Sequence, residues 1–246
     1  AAKGACFGEV AGWERTNWFA PAGKKAEYEY TYGRQNWFEY TAAECKATRE
    51  AVAMFDQSSF GKFVLEGADA EQIINNVSAN DMSVPVGKLV YTQWLNERGG
   101  IEADLTVTRE AADRYLVVTA AATQVRDFQW LKNHIPADAR ATLTDVTSGS
   151  AVLSIMGPNS RALLQSLTST DMSNEAFPFG TSQIIDLGYA RVRASRVTFV
   201  GELGWELYIA TEYATGVFDA IVAVGDKFGL KHAGYHALNS MRTEKG

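Results

Sequence analysis

Cysteine is scarce in this chain. Cys6 and Cys45 are the only two, and neither stands in a CxxC or Cys/His grouping, which excludes a disulfide framework and a cysteine-based metal site. Both read as inert packing residues. Histidine is almost as rare, and His134, His232 and His236 lack metal-ligand spacing, so they read as structural. No apolar run approaches the roughly 20 residues that span a bilayer, which leaves no membrane-spanning helix to expect. Concentrated basic charge is missing as well: 23 Lys and Arg stand against 29 Asp and Glu, a net charge of −6. A nucleic-acid groove needs clustered cations to neutralise phosphates, so nucleic acid is not an expected partner. The opening AAKGACFGEV has neither the basic start nor the apolar middle of a secretory signal. Export is not expected, which leaves the cytoplasm, or the mitochondrial matrix in a eukaryote.

What is present is the material of a globular core. Apolar residues make up 46% and charged residues 21% of 246 positions, enough for one large or two modest domains, of which two is the preferred reading. The last residues, MRTEKG, carry no terminal signal of their own, and the chain reads as a fragment of something longer.

Residues 1 to 38 are rich in aromatics and glycine but show neither helical nor strand periodicity, which predicts a packed, irregular lead-in. Residues 40 to 54, with Ala43, Ala47, Ala51 and Met54 at helical spacing, predict a short amphipathic helix ending near Phe55-Asp56. From Phe60 the pattern reads strand (GKFVLEG), helix (ADAEQIINNVSAN), a strand pair about Gly99-Gly100, strand (RYLVVTA), helix (TQVRDFQWLKNHI) and strand (RATLTDVT), a split β-α-β order. From Ser150 it begins again, with strand (SAVLSIMG), helix (PNSRALLQSLTS), a second strand pair and helix (ATGVFDAIVAVGDKFG). The chain reads as a pseudo-duplication.

Two acids stand out within this pattern. In IEADLTVT, Ile101, Ala103, Leu105 and Val107 alternate with Glu102, Asp104, Thr106 and Thr108, the period of a half-buried strand with Asp104 on its polar face. A second glycine-containing turn leads into WELYI, where Glu206 is again the acid on the polar side. Either acid is equally at home on the wet face of an ordinary antiparallel sheet. If the two units pack side by side, their hairpins can bring both carboxylates to one pocket.

The segments YTQWLNERGGIEADLTV, DVTSGSAVLSIMGPNSR, FPFG, VTFVGELGWELYI and AGYHALNSMRTEKG, in this order and spacing, resemble the folate-binding aminomethyltransferase family, the T-protein of the glycine cleavage system and its relatives. With GWERTNWF and EYTAAECKATREAVAMFDQSSFGKF added, the chain is most similar to the C-terminal folate domain of dimethylglycine and sarcosine dehydrogenases. The resemblance spans essentially the whole chain. It implies an α+β fold of two interleaved ferredoxin-like units, residues 60–148 inserted between 1–59 and 149–246, with the family's small C-terminal barrel absent. It also implies tetrahydrofolate as cofactor, a small amine-derived substrate, and an upstream flavin oxidoreductase domain, which alone would carry FAD.

For the site, the resemblance implies Asp104 as catalytic acid-base group, since a carboxylate near N5 and N10 of tetrahydrofolate can move a proton or stabilise a passing iminium. Glu206 matches the pterin-binding glutamate, an acceptor for the paired N–H groups of the pterin edge; a cross-strand ion pair with Arg193 is its plain alternative. Tyr91, Phe60 and Phe199 fall where the family has walls of the pterin pocket, and Thr106 and Thr108 share the face of Asp104. The first of the T-proteins' two adjacent aspartates aligns with Ala103, and their folate-assisting arginine aligns with Leu238; Arg242 reads as a helix anchor. The implied reaction forms 5,10-methylenetetrahydrofolate from an aminomethyl or iminium intermediate. The rivals are a folate module that only traps formaldehyde, a T-protein-like enzyme, and a related demethylase.

Overall fold

In the computed structural model, which describes residues 2–245, the strand, glycine and helix unit predicted twice from the sequence is present twice. In the first copy β4 (Gly61–Glu66) runs through Gly67 into α2 (Ala70–Val77), and in the second β9 (Ser150–Met156) runs through Gly157 into α4 (Ser160–Gln165). Gly67 and Gly157 take φ of 133° and 130°. A Cβ would stand 2.2 Å from Arg140 O at Gly67 and 2.5 Å from Ala51 O at Gly157, so both copies turn on a backbone approach that only glycine permits.

Around these units the chain forms a mixed α+β fold with a five-stranded and a six-stranded sheet. The five-stranded sheet adds β5 (Leu89–Leu95), β6 (Ile101–Ala111), β7 (Arg114–Thr119), α3 (Gln124–Asn133) and β8 (Thr142–Asp145) to β4 and α2. Its strand order is β5-β6-β7-β4-β8, a ferredoxin-like order with β5 appended at one edge. The six-stranded sheet uses β3 (Val52–Asp56), β9, β10 (Ser182–Leu187), β11 (Ala190–Ser195), β12 (Gly204–Ala210) and β13 (Leu230–His232), with α4 and α5 (Ala214–Gly225) on its outer face. Its order, β10-β11-β12-β9-β3-β13, repeats the first with one strand, β3, slipped between β9 and β13.

Each sheet has one apolar face turned to its helices. Phe63, Leu65, Leu105, Val107, Tyr115 and Val117 pack on Ile73, Ile74 and Leu131 of the helices; Leu153, Ile155, Val192, Trp205, Leu207 and Ile209 pack on Leu163, Leu164, Val217 and Ile221. The strands' period of two then turns the opposite faces of the sheets toward one another. There Val64, Leu116 and Val118 of one sheet meet Val152 and Tyr208 of the other. The sheets are stitched at the β5 and β10 edges, where Leu89 N donates to Gly180 O at 2.9 Å and Ser182 N to Gly87 O at 2.7 Å. Deeper in, Glu110 Oε1 of β6 pairs with Arg193 Nε of β11 at 2.7 Å.

Two expectations are corrected here. The lead-in is not wholly irregular: β1 (Ala5–Val10) and β2 (Trp13–Phe19) form an antiparallel hairpin about Ala11-Gly12, with φ of 52° and 84°, while residues 20 to 37 lack regular structure. Its two strands bury few side chains, chiefly Cys6 and Trp18, so no alternation marks them. The helix expected to reach Met54 is α1 (Phe38–Glu50), and Val52 onward is the central strand β3. Its buried face is Glu44, Cys45 and Thr48 rather than the alanine ladder. The last helix, α6 (Tyr235–Lys245), packs with β3 through Ala237, Leu238 and Met241.

Candidate functional site

The inward face of the five-stranded sheet carries Asp104, because Ala103, Leu105 and Val107 take the core side of β6. Ile101 departs from the alternation and is exposed, since the register shifts between Trp94 and Leu95 opposite it. Asp104 faces Gln93 across the strand pair, and Gln93 Nε2 donates to Asp104 Oδ1 at 3.1 Å. Tyr91 lies two residues along the same strand, 59% exposed. Hydrogen bonding to Asp104 first, then partial burial, raises its phenol above the usual pKa. Thr106 faces Tyr91 on one side and Val118 on the other, and Thr108 is buried.

The inward face of the six-stranded sheet carries Glu206, since Trp205 and Leu207 turn to the helices. Glu206 is 6% exposed. Its Oε2 accepts the Tyr208 hydroxyl at 2.7 Å, and Oε1 has no hydrogen-bond partner among the described residues. Burial pushes the carboxyl pKa up while the Tyr208 hydroxyl pulls it back, and burial together with the carboxylate drives the Tyr208 phenol well above its usual value. The flanking residues are Ser154 on β9 and Ser195 on β11. Ser154 Oγ donates to Gln57, whose Nε2 is buried without a partner. The ion pair weighed for Glu206 is absent, because Arg193 is engaged by Glu110 and by Ser182 Oγ at 3.3 Å.

Phe60 joins these groups. Its ring packs against the cluster that contains Tyr208 and Val152 and stands 6.0 Å from Phe199, tilted by 50°. Arg242 lies 5.7 Å over the Phe199 ring and makes no ion pair among the described residues, so it borders this wall rather than anchoring α6 through a carboxylate. Phe60, Phe199, Tyr208 and Glu206 thus form one group and Tyr91, Gln93, Asp104 and Thr106 another. The Thr106–Val118 pairing and the Val118–Tyr208 packing connect the two.

The acids do not sit on equivalent hairpins. Asp104 lies on β6, whose place in the repeated order is taken by β11, whereas Glu206 lies on β12, the counterpart of β7. Both lie on inward faces because the sheets face each other. The surface clefts lined by Asp69, Glu71 and Asn75, by Trp130 and His134, and by Lys3, Phe218 and His232 include neither acid.

Lys62 was missed by the sequence reading. It lies on β4, is 0% exposed, and donates from Nζ to Ser58 O and Phe60 O, each at 2.8 Å. Its position in GKFVLEG marks it as inward-facing, but only the second sheet makes that face a buried one. Of the histidines, His134 Nδ1 bonds Trp130 O, His236 Nε2 bonds the Tyr28 hydroxyl, and His232 lies between Phe19 and Phe218. Among the described residues no group of three His, Cys, Asp or Glu is placed to hold a metal ion. No helix of the structure is long and apolar enough to cross a membrane.

Comparison with known proteins follows the same lines. The family model for the GCVT N-terminal domain matches residues 1–246. The chain is 45% identical over its full length to 4-methylaminobutanoate oxidase (formaldehyde-forming) of Paenarthrobacter nicotinovorans, covering 30% of that protein. It is 38% identical to human mitochondrial sarcosine dehydrogenase over 99% of the chain and 31% of the relative. An aminomethyltransferase of Chloroherpeton thalassium is 34% identical over 82% of the chain and 56% of its own length. The chain thus spans about 30% of the length of the two oxidoreductases. Among solved structures, the glycine cleavage system aminomethyltransferase T of Bartonella henselae superposes with a TM-score of 0.79 at 22% identity, over 99% of this chain and 59% of that one. That likeness establishes a shared fold, and the family match over every residue establishes more: the chain belongs to the GCVT N-terminal domain family.

Proposed function

We propose that the domain binds tetrahydrofolate between its two sheets and transfers a one-carbon unit onto it, yielding 5,10-methylenetetrahydrofolate. The observation that carries the reading is Glu206, a buried carboxylate with one oxygen held by Tyr208 and the other unpartnered. Its free oxygen is still reached by solvent, so a ligand donor can complete it without displacing a protein partner. The pterin edge offers two adjacent N–H donors, with Phe60, Phe199 and Tyr91 as apolar and aromatic walls and Thr106 and Thr108 as polar lining.

Tetrahydrofolate supplies two nucleophilic nitrogens. When bound, N5 and N10 would take up the one-carbon unit as the donor amine leaves with their two protons. In this reading Asp104 carries those protons and its charge stabilises the passing cation. Gln93 holds Oδ1 of Asp104, and Tyr91 shares its hydrogen bonding.

The formaldehyde-forming name of one relative favours a second reading, in which the bound folate only captures released formaldehyde. Calorimetric titration with tetrahydrofolate tests binding, and absence of binding by the folded domain defeats both readings. Single-turnover methylene transfer then separates them: Asp104→Ala slows it by about 10²-fold or more if Asp104 is a general acid-base group, whereas an unchanged rate leaves the trap. The amine donor and an upstream flavin domain in the same polypeptide belong to this proposal, on the strength of the oxidoreductase relatives.

A further inference from the structure

A fully buried lysine without a carboxylate partner is uncommon, because the ammonium loses its hydration and gains no counter-charge. Lys62 is such a residue. No carboxylate lies within ion-pair distance of it among the described residues, and its two acceptors are main-chain carbonyls, Ser58 O and Phe60 O. Those carbonyls belong to the crossover from β3 to β4, the first passage of the chain from the six-stranded to the five-stranded sheet.

The crossover is bound on every side. Gln57 N donates to Val152 O at 2.8 Å, and Phe60 N closes the turn onto Gln57 O at 3.0 Å. Val152 N donates to Ser58 Oγ at 3.0 Å, and Ser59 Oγ meets the Tyr235 hydroxyl at 3.2 Å. Gln57 also accepts from Ser154, the neighbour of Glu206. Lys62 adds a side-chain tie between this turn and the five-stranded sheet that the turn enters at Gly61, and the ring beside that tie is Phe60, next to Tyr208 and Phe199.

We propose that Lys62 is a positioning residue of the folate site: its ammonium, clamped on Ser58 O and Phe60 O, sets the Phe60 ring as the wall opposite the Glu206 carboxylate. The inference rests on the proposed folate reading of this site. A charged donor makes shorter and stronger bonds to carbonyls than a neutral amine, so the clamp weakens when the proton is lost. Burial lowers the Lys62 pKa to about 8, with Asp56 on β3 and Asp145 on β8 drawing it back up. Its other neighbours, Val118 across the sheet on β7 and the Thr147 hydroxyl on its own backbone N–H, carry no charge.

The test uses Lys62→Met and Phe60→Ala in the whole domain. Tetrahydrofolate affinity is measured by calorimetry between about pH 7 and pH 9, a window that spans the titration. Lys62→Met is expected to weaken binding about tenfold, the order that a displaced contact wall costs, and to leave the saturated transfer rate unchanged. Wild-type affinity is expected to fall across the window, and both variants to be flat. Equal affinity and an equal pH profile in Lys62→Met overturn the proposal. If that variant does not fold, Phe60→Ala decides: a wild-type pH dependence surviving without the ring shows that Lys62 does not act through it. A wild-type domain that binds no tetrahydrofolate defeats the folate reading instead. A crystal structure of either lysine variant, Lys62→Met or Lys62→Gln, with Phe60 undisplaced overturns the positioning role whatever the ligand.

Discussion

Removing Glu110 should cost more stability than removing any exposed charge of this protein, because it strands the Arg193 guanidinium between the sheets. Glu110 and Arg193 have side chains only 12% and 17% exposed, and they meet at 2.7 Å. The other oxygen of Glu110 accepts Arg114 Nε at 2.9 Å, and Arg114 also pairs with Glu66. Breaking a buried pair from one side leaves an uncompensated charge, a loss of about 3–5 kcal/mol. Glu110→Ala should therefore lose about 3–5 kcal/mol in urea unfolding, at unchanged denaturant slope.

The partners should respond unequally. Arg193→Ala leaves Glu110 with Arg114 still in place, so its cost should be smaller, about 2–3 kcal/mol, the worth of a charged hydrogen bond and some packing. Arg114→Ala removes a residue 39% exposed and should cost under about 1 kcal/mol. Glu110→Leu with Arg193→Met puts apolar volume where the pair stood and should recover most of the loss. If Glu110→Ala costs less than about 1 kcal/mol, the pair is hydrated in solution and the account of sheets locked face to face by a dry ion pair is wrong.

Three further outcomes follow from local geometry. Glu206→Gln keeps an acceptor for Tyr208 but removes a buried charge, so the melting temperature should hold or rise while tetrahydrofolate affinity falls by roughly 5- to 30-fold, the difference between charged and neutral hydrogen bonds; a fall in both would mark Glu206 as structural. Burial pushes the Glu44 carboxyl up to about 7, against the pull of the Gly234 and Phe19 N–H groups it accepts. A carboxyl raised on folding contributes stability that is full below its unfolded pKa and lost as pH rises through the folded one, so stability should decline from about pH 4.5 to 7, by at most about 1.4 kcal/mol per pH unit. Urea midpoints across that range, compared with Glu44→Gln, isolate the effect, and identical slopes would exclude Glu44 as its source. Gly157→Ala must place a methyl 2.5 Å from Ala51 O and 2.6 Å from Thr48 O at a disfavoured φ, and should lose at least about 1–3 kcal/mol by thermal or urea unfolding; a near-neutral result would mean the turn relaxes freely.

The parts of this fold that were legible in the sequence are those where one local period decides one buried face. β6 announced itself because Ala103, Leu105 and Val107 serve a single core, and the glycine after β4 and β9 appears in both copies because both turns need it. Where the deciding neighbour is distant in the chain, the local signal misleads. Ala43, Ala47 and Ala51 continue a helical spacing into Met54, yet β3 is claimed by pairing with β9 and β13, and burial there outweighs helix propensity. The hairpin of β1 and β2 turns on Ala-Gly rather than Asn-Gly or Asp-Gly, so its strongest usual marker is missing.

The same distinction separates the two acids. Asp104 was legible as the polar-face residue of a strand and is, by exposure, still that: what it gains from the fold is only Gln93 and Tyr91. Glu206 reads from the sequence as its twin, but the repeat order puts it on the counterpart of β7 rather than of β6. Nothing in GWELYI distinguishes a wet glutamate from a buried one. Its burial comes from Val64, Leu116 and Val118 arriving over Tyr208 from the other sheet, and Lys62 is buried by the same event. A duplicated unit that packs face to face thus makes unlike partners of its copies: one sheet presents an exposed carboxylate, Asp104, and the other a largely buried one, Glu206. The proposed division of labour, Asp104 moving protons and Glu206 holding the ligand, rests on that asymmetry, which neither copy carries alone.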